Sequence, residues 1–152
     1  MAIFKYSEIG ISGISAAVPK EKYNNLAPND FFTEKEAKSV VKMTGIKERR
    51  VAPSNICASD LCYAAAEQLL REMAVERATI DVLIFISQTP DYRMPATSII
   101  LQNRLGLSKS CAAFDINLGC SGYVYGLCFA YSFCKHKTIN KILLLNGETR
   151  TK

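Results

Sequence analysis

The 152-residue sequence predicts an α/β protein built on a layered sheet. Three observations carry that expectation. Short apolar runs of strand length alternate along the chain with segments whose apolar residues recur at helical spacing. One run, Asp81 to Ser87 (Asp-Val-Leu-Ile-Phe-Ile-Ser), is nearly continuous, as expected of a strand covered on both faces. Helix-opening and helix-closing residues also stand at the junctions, foremost Thr33 with Glu36 and then Gly45.

Taken in order, Ile9 to Val18 is rich in Ile, Ala and Val and ends at Pro19, so it reads as a buried first strand. A polar loop follows, with Asn24, Asn25, Pro28, Asn29 and Asp30. Thr33 and Glu36 form a capping-box pair that opens a helix through about Met43, which Gly45 terminates. Ile46 to Val51 is a short basic strand or extended segment. Ser59 or Asp60 caps the next helix, whose Leu61, Ala65, Leu69 and Met73 recur at helical spacing through about Ala74. After the Asp81 to Ser87 strand, Pro95 introduces a helix over about Ala96 to Leu105, closed by Gly106. Ala112 to Leu118 is another strand, Ser121 to Lys135 another helix, and Lys141 to Asn146 a last apolar strand. The chain stops at Lys152, soon after that strand, so the sheet is expected to lack a covering layer.

Composition narrows the class. A hydrophobic share of 49% and a charged share of 22% suit a folded domain and argue against global disorder. No window reaches the roughly 18 uninterrupted apolar residues of a membrane span. The start lacks the basic-then-apolar layout of a secretory signal, so a cytoplasmic location is expected. In that compartment the six cysteines are free thiols, and most are small core residues. They contain no C-x-x-C spacing and His136 is the only histidine, so no metal site is expected. The net charge of +5 fits acidic partners such as a phosphorylated cofactor or an acidic carrier protein. The basic residues are scattered, and the densest group, Lys47, Arg49 and Arg50, is interrupted by Glu48, so nucleic acid is not an expected partner.

The stretch that carries chemistry is Phe114-Asp-Ile-Asn-Leu-Gly-Cys-Ser-Gly-Tyr-Val-Tyr-Gly-Leu127. It runs from an apolar strand through a glycine turn straight into a helix, with Cys120 on the first helical turn or just before it. Unpaired backbone N–H groups and the positive end of the helix dipole favour a thiolate there. Gly119 and Gly122 leave room for a substrate to approach the backbone, and the N–H groups of the turn can bind a developing oxyanion. Gly122 and Gly126, four apart, share a helix face and permit close packing on another element. These residues alone leave two readings open: an activated thiolate, or a small buried residue like Cys128 and Cys134.

Asp115-Ile-Asn-Leu-Gly-Cys-Ser-Gly-Tyr123 resembles the nucleophile motif of β-ketoacyl-ACP synthase III and its relatives. Three further matches occur in the family's order. Thr44-Gly-Ile-Lys-Glu-Arg49 is similar to its Thr-Gly-Ile-basic-Glu-Arg segment. Pro95 with the helix up to Leu105-Gly106 resembles the stretch ahead of the nucleophile strand. Leu143 to Thr149, ending Asn-Gly-Glu-Thr, is similar to the strand that closes on a Gly-Asp or Gly-Ser-Asp turn. The resemblance covers nearly the whole chain.

It implies an α/β fold with a thiolase-like layered mixed sheet, of which residues 1–152 are the N-terminal half as one domain. It implies Cys120 as the acyl-accepting nucleophile, with Gly119, Ser121 and Gly122 forming the turn and its oxyanion surroundings. No permanently bound cofactor is implied; an acyl-CoA or acyl-carrier thioester is the substrate. Acyl-carrier protein is a partner, and the family forms homodimers. The histidine and asparagine of the condensation step, and a glycine-rich oxyanion segment, belong to the family's C-terminal half. This chain carries neither, so it is not expected to complete condensation alone. His136, in a Lys-His-Lys stretch, reads as an exposed residue at a helix end.

Some positions depart from the pattern. Ser39 and Met43 stand where many relatives place Trp and Arg around the CoA adenine, which leaves CoA or a carrier protein open as the acyl donor. Met94 stands where relatives often have Phe at the acyl pocket across the dimer interface; it sets chain length or is an ordinary packing residue. Arg49 contacts a phosphate of the donor or is a solvated charge. Two alternative functions stay open: acyl transfer from Cys120 to a hydroxyl or amine, and a non-catalytic dimer partner. Retention of Cys120 argues against the second. The hydroxymethylglutaryl-CoA synthase branch matches the local motif less well.

Overall fold

The computed structural model describes residues 3–28 and 30–150; Asn29 of the expected polar loop, and Thr151 and Lys152 of the chain end, lie outside the described residues. Two compact units are present, one formed by residues 3–17 and 57–148, the other by 18–56 with 149–150.

The smaller unit contains strand β1 (Lys22–Asn24), helix α1 (Glu34–Thr44) and strand β2 (Glu48–Arg50). β1 and β2 pair antiparallel, with Tyr23 opposite Arg49, and a Lys22–Glu48 ion pair of 3.3 Å lies across the ladder. The strand expected within Ile46 to Val51 is therefore present. Its partner lies in what reads as a polar loop, because the pairing comes from β2 and not from local apolar content. α1 begins and ends where expected. Thr33 Oγ1 accepts from Glu36 N–H, Glu36 accepts from Thr33 N–H at 2.8 Å, and Gly45 closes the helix at φ 74°. The Thr33 hydroxyl and, next, the Thr33 N–H both donate to the Glu36 carboxylate and hold it below its usual range.

The larger unit contains helix α2 (Ala58–Glu72), a short 3₁₀ turn (Arg77–Thr79), strand β3 (Val82–Ile86), helix α3 (Thr97–Arg104), strand β4 (Ala112–Ile116), helix α4 (Gly122–Cys134) and strand β5 (Ile142–Asn146). The sheet order is β4-β3-β5, and β3 runs parallel to both neighbours, with Ile84 opposite Phe114 and Leu144. Every β3 residue is buried. The two-residue alternation of a strand sends Leu83 and Phe85, with Leu143 and Leu145, into one core with Ala66 and Leu70 of α2 and Leu101 of α3. Val82, Ile84 and Ile86 enter a second core with Ala130 of α4, packed by Phe114 and Leu144. The continuous apolar run is thus the central strand of a sheet covered on both faces.

Two expectations are corrected. Ile9 to Val18 forms no strand, and Ile11, Ile14 and Val18 are exposed. A run becomes a strand only when a neighbour supplies ladder bonds, and among the described residues β5 pairs with β3 alone. A cleft of about 870 Å³ lies between residues 8–15 and the edge of β5. The N-cap of α2 is Cys57, not Ser59 or Asp60. Asp60 acts from the third helical position, accepting from Cys57 N–H at 2.9 Å, and Ser59 is buried.

α4 lies close to the sheet because positions 122 and 126 lack side chains. A Cβ at Gly122 would sit 2.8 Å from Ile86 Cγ2, and one at Gly126 would overlap Ile86 Cδ1 and lie 3.2 Å from Leu144 Cδ1. Gly122, Gly126 and Ala130 form its buried stripe, whereas Tyr123, Val124, Tyr125 and Phe129 are exposed. No helix among the described residues is long and apolar enough to cross a membrane. Enclosed on all sides, Ile86 cannot yield to a new side chain at 126. Gly126→Val is therefore expected to destabilise the protein by ~1–3 kcal/mol, read as a lower urea midpoint. Lys35→Ala, on the exposed face of α1, should change it by less than about 0.5 kcal/mol.

Candidate active site

In a parallel sheet covered by helices, the chain leaves the carboxyl ends of the strands in loops, and binding sites collect there. In this protein the three ends carry Ser87, Gln88 and Thr89 after β3, residues 117–121 after β4, and Gly147 with Glu148 after β5. The β4 loop is five residues long and enters α4 without a side-chain cap. Cys120 lies in this turn, outside the first helical residue, and is exposed.

The turn is closed by the Gly122 N–H, which donates to Gly119 O at 2.7 Å. The Gly122 N–H is thereby engaged within the turn. The N–H groups of Cys120 and Ser121 accept no such constraint and have no hydrogen-bond partner among the described residues.

Each neighbouring loop is fixed. Ser87 N–H donates to Ile116 O at 3.3 Å and Gly147 N–H to Ile86 O at 3.1 Å, so the ladder continues one step past each strand. The Glu148 carboxylate accepts from Gln88 N–H at 2.6 Å and from the Thr89 hydroxyl at 3.0 Å. The Gln88 side-chain amide packs directly on Gly119, where a Cβ would collide with it.

The segment from Pro90 to Ala96 is held at both ends by carboxylates. Asp91 accepts from Ser59 N–H and the Ser59 hydroxyl at the start of α2. Asp115, inside β4, accepts from Thr97 N–H and Ser98 N–H at 2.8 Å each, capping α3 from another element. Hydrogen bonds to a charged acceptor contribute ~1.5–3 kcal/mol each, which fits a firmly seated α3. Between these anchors Met94 is 89% exposed, ahead of a cis bond to Pro95. A cleft of about 340 Å³ opens at the ends of β3 and β4, lined by Ser87, Tyr92, Arg93, Asp115 and Asn117.

The structure thus brings Gly119, Cys120, Ser121 and Gly122 into one turn and puts Met94 on an exposed loop of the same unit. Arg49 belongs to the other unit, where its guanidinium lies 4.2 Å over the Tyr23 ring and donates to Asn25. Ser39 and Met43 are exposed on α1. His136 is exposed in the turn after α4, as expected. Sequence reading missed the roles of Gln88, Asp91, Asp115 and Glu148. Their partners are distant in sequence, and the position of Glu148 two residues past the end of β5 was the only signal.

Comparison with known proteins places these features in a family context. A family profile for 3-oxoacyl-[acyl-carrier-protein (ACP)] synthase III matches residues 114–152. A β-ketoacyl-[acyl-carrier-protein] synthase III of Natranaerobius thermophilus is 36% identical over 133 residues, covering 82% of this chain and 40% of that protein. A crystal structure titled 3-oxoacyl-(acyl-carrier-protein) synthase III is 37% identical with a TM-score of 0.84, covering 91% of this chain and 41% of that one. The 3-oxoacyl-(acyl-carrier protein) synthase of Burkholderia xenovorans LB400 is 40% identical with a TM-score of 0.78, covering 86% and 38%. The chain spans about two-fifths of the length of the relatives it matches.

The cysteines differ in environment. Burial, with the nearby carboxylates of Asp91 and Glu148, pushes the Cys62 thiol up to about 12, and burial raises Cys111 and Cys134. Iodoacetamide at pH 8 is expected to alkylate exposed Cys120 first and to leave Cys62 unmodified in the folded protein. Peptide mapping over time checks the order; early labelling of Cys62 would contradict this geometry.

Proposed function

Since the chain belongs to the β-ketoacyl-ACP synthase III family and has its thiolase-type α/β fold, we propose that it is the nucleophile-bearing N-terminal half of a condensing acyltransferase. The observation that carries this reading is the exposed Cys120 at the β4–α4 turn, inside the stretch matched by the family profile.

In the first step the Cys120 thiolate attacks the carbonyl carbon of an acyl thioester, supplied on CoA or on an acyl-carrier protein. The oxyanion that forms takes hydrogen bonds from the Cys120 and Ser121 N–H groups, which are oriented before the substrate arrives. Collapse breaks the carbon–sulfur bond to the donor. The donor leaves as a thiol after taking a proton, and the acyl group remains on Cys120. In the second step a malonyl-carrier thioester loses CO₂, and its carbanion attacks the acyl-enzyme carbonyl. A carbon–carbon bond forms and Cys120 leaves as thiolate.

The groups that assist decarboxylation belong to the family's C-terminal half, a histidine and an asparagine with a glycine-rich oxyanion segment. That half is the partner that covers the apolar outer face of α4, where Tyr123, Val124, Tyr125 and Phe129 stand exposed. Residues 1–152 act as one N-terminal domain of a cytoplasmic homodimer. Met94 reaches the acyl pocket from its exposed loop, and its flexible side chain suits a chain length different from that set by Phe. Arg49, whose guanidinium lies over the Tyr23 ring, is a surface charge or a contact for donor phosphate.

The test is condensation by the protein at its encoded length, with a short acyl-CoA and malonyl-carrier protein. Cys120→Ser is expected to lower product formation at least ~1,000-fold with an unchanged circular dichroism spectrum. Undiminished condensation by the Ser variant would reject Cys120 as the acyl carrier. Transfer to an added hydroxyl or amine acceptor, without a carbon–carbon product, would favour the simpler acyltransferase.

A further inference from the structure

We propose that Glu148 is a positioning residue that holds the Cys120 turn in place through Gln88; the catalytic consequence rests on the reading of Cys120 as nucleophile. Beyond Ile86 and Asn146 the parallel ladder runs out, and its last bonds are those of Ser87 N–H to Ile116 O and Gly147 N–H to Ile86 O. Glu148, the next residue along, replaces the missing strand with a side chain. One carboxylate oxygen takes the Gln88 N–H at 2.6 Å and the other the Thr89 hydroxyl at 3.0 Å. Bonds to an ionised acceptor are about twice as strong as neutral ones. Thr89 N–H also donates to Ser87 Oγ at 3.0 Å, so the three residues after β3 are tied both to Glu148 and to each other.

The clamp is itself anchored. A Cβ at Gly147 would lie 2.5 Å from Cys62 Sγ and 3.3 Å from Ala58 O, so the chain ahead of Glu148 is pressed against the first turns of α2. On its far side the clamp meets the nucleophile turn. The Gln88 amide fills the space beside Gly119, and the Gly119 carbonyl accepts the Gly122 N–H that closes the turn around Cys120. A continuous path therefore runs from the end of β5, through Glu148 and Gln88, to the backbone that carries the sulfur. Both carboxylate oxygens of Glu148 already accept hydrogen bonds, which assigns the residue a holding role and not proton transfer. Attack on a carbonyl is sensitive to placement, and a displacement of 1 Å costs ~100-fold in rate.

The test uses the protein at its encoded length and two readouts. Glu148→Ala is expected to speed hydrogen exchange of the Gly122 amide, which closes the turn onto Gly119 O, at least tenfold. It should also slow acylation of Cys120 by a short acyl-CoA ~10–100-fold, with the half-saturating acyl-CoA concentration unchanged. Glu148→Gln keeps the shape, accepting from Gln88 N–H and donating to Thr89 Oγ1, and should stay within about threefold of wild type in both. Should Glu148→Ala fail to fold, Gln88→Ala removes the contact with Gly119 and is expected to reproduce both effects. Wild-type exchange and acylation in the Ala variants would overturn the proposal. A Gln variant as impaired as Ala would overturn it too, in favour of a role for the charge or a proton. Hydrogen exchange does not depend on acyl chemistry. If wild-type Cys120 were never acylated, the nucleophile reading would fall, and the exchange result would still decide whether Glu148 holds the turn.

Discussion

The approach of α4 to β3 is the constraint on which the site depends. Gly122 and Gly126 let the helix backbone come against Ile86, the buried last residue of the central strand. With the helix at that height, its first residue stands beside the carboxyl end of β4, and only residues 117–121 connect the two. So short a connection must turn sharply, and the Gly122 N–H closes it onto Gly119 O. The residue left at the apex is Cys120, exposed while the buried stripe of the helix faces the sheet. Packing at the core thereby decides where the sulfur stands.

A sulfur held on such a turn needs a frame that does not give way, and the carboxylates supply it from outside the turn. Asp115 leaves β4 to hold the N-terminus of α3, Asp91 holds that of α2, and Glu148 ties the β3 loop to the end of β5. Each carboxylate takes backbone N–H groups that no regular ladder or helix would satisfy. At the opposite end of the sheet Asp81 does the same for Asn140 and Lys141 N–H, which holds its carboxyl below the usual range. These contacts give the loop N–H groups partners that no ladder or helix supplies.

How much of this was legible in the sequence follows from how local each cause is. α1 was readable to within a residue at its end, because its cap, Thr33 with Glu36, and its stop, Gly45, stand at its own termini. β3 was readable because burial on both faces leaves an unbroken apolar run, and the paired glycines of α4 marked its packed face. β1 was not, since Lys-Tyr-Asn becomes a strand only by pairing with β2. The opposite error occurred at Ile9 to Val18, where strand-like residues find no ladder. Cys120 stood out from its strand–turn–helix setting and family motif. Gln88, Asp115 and Glu148 did not, because their partners lie 17 to 60 residues away. Which N–H the turn keeps for itself, that of Gly122, was not legible, since sequence alone does not fix the turn's internal hydrogen bond.

The measurement that bears most directly on the central claim is intact-mass analysis of a single turnover with an acyl thioester, followed by peptide mapping. The expected result is one acyl group on Cys120, released by hydroxylamine as a thioester should be, and absent from Cys120→Ser. An acyl group on another cysteine, or none on folded protein with both CoA and carrier-protein donors, would contradict the claim that the β4–α4 turn presents an acyl-accepting thiol.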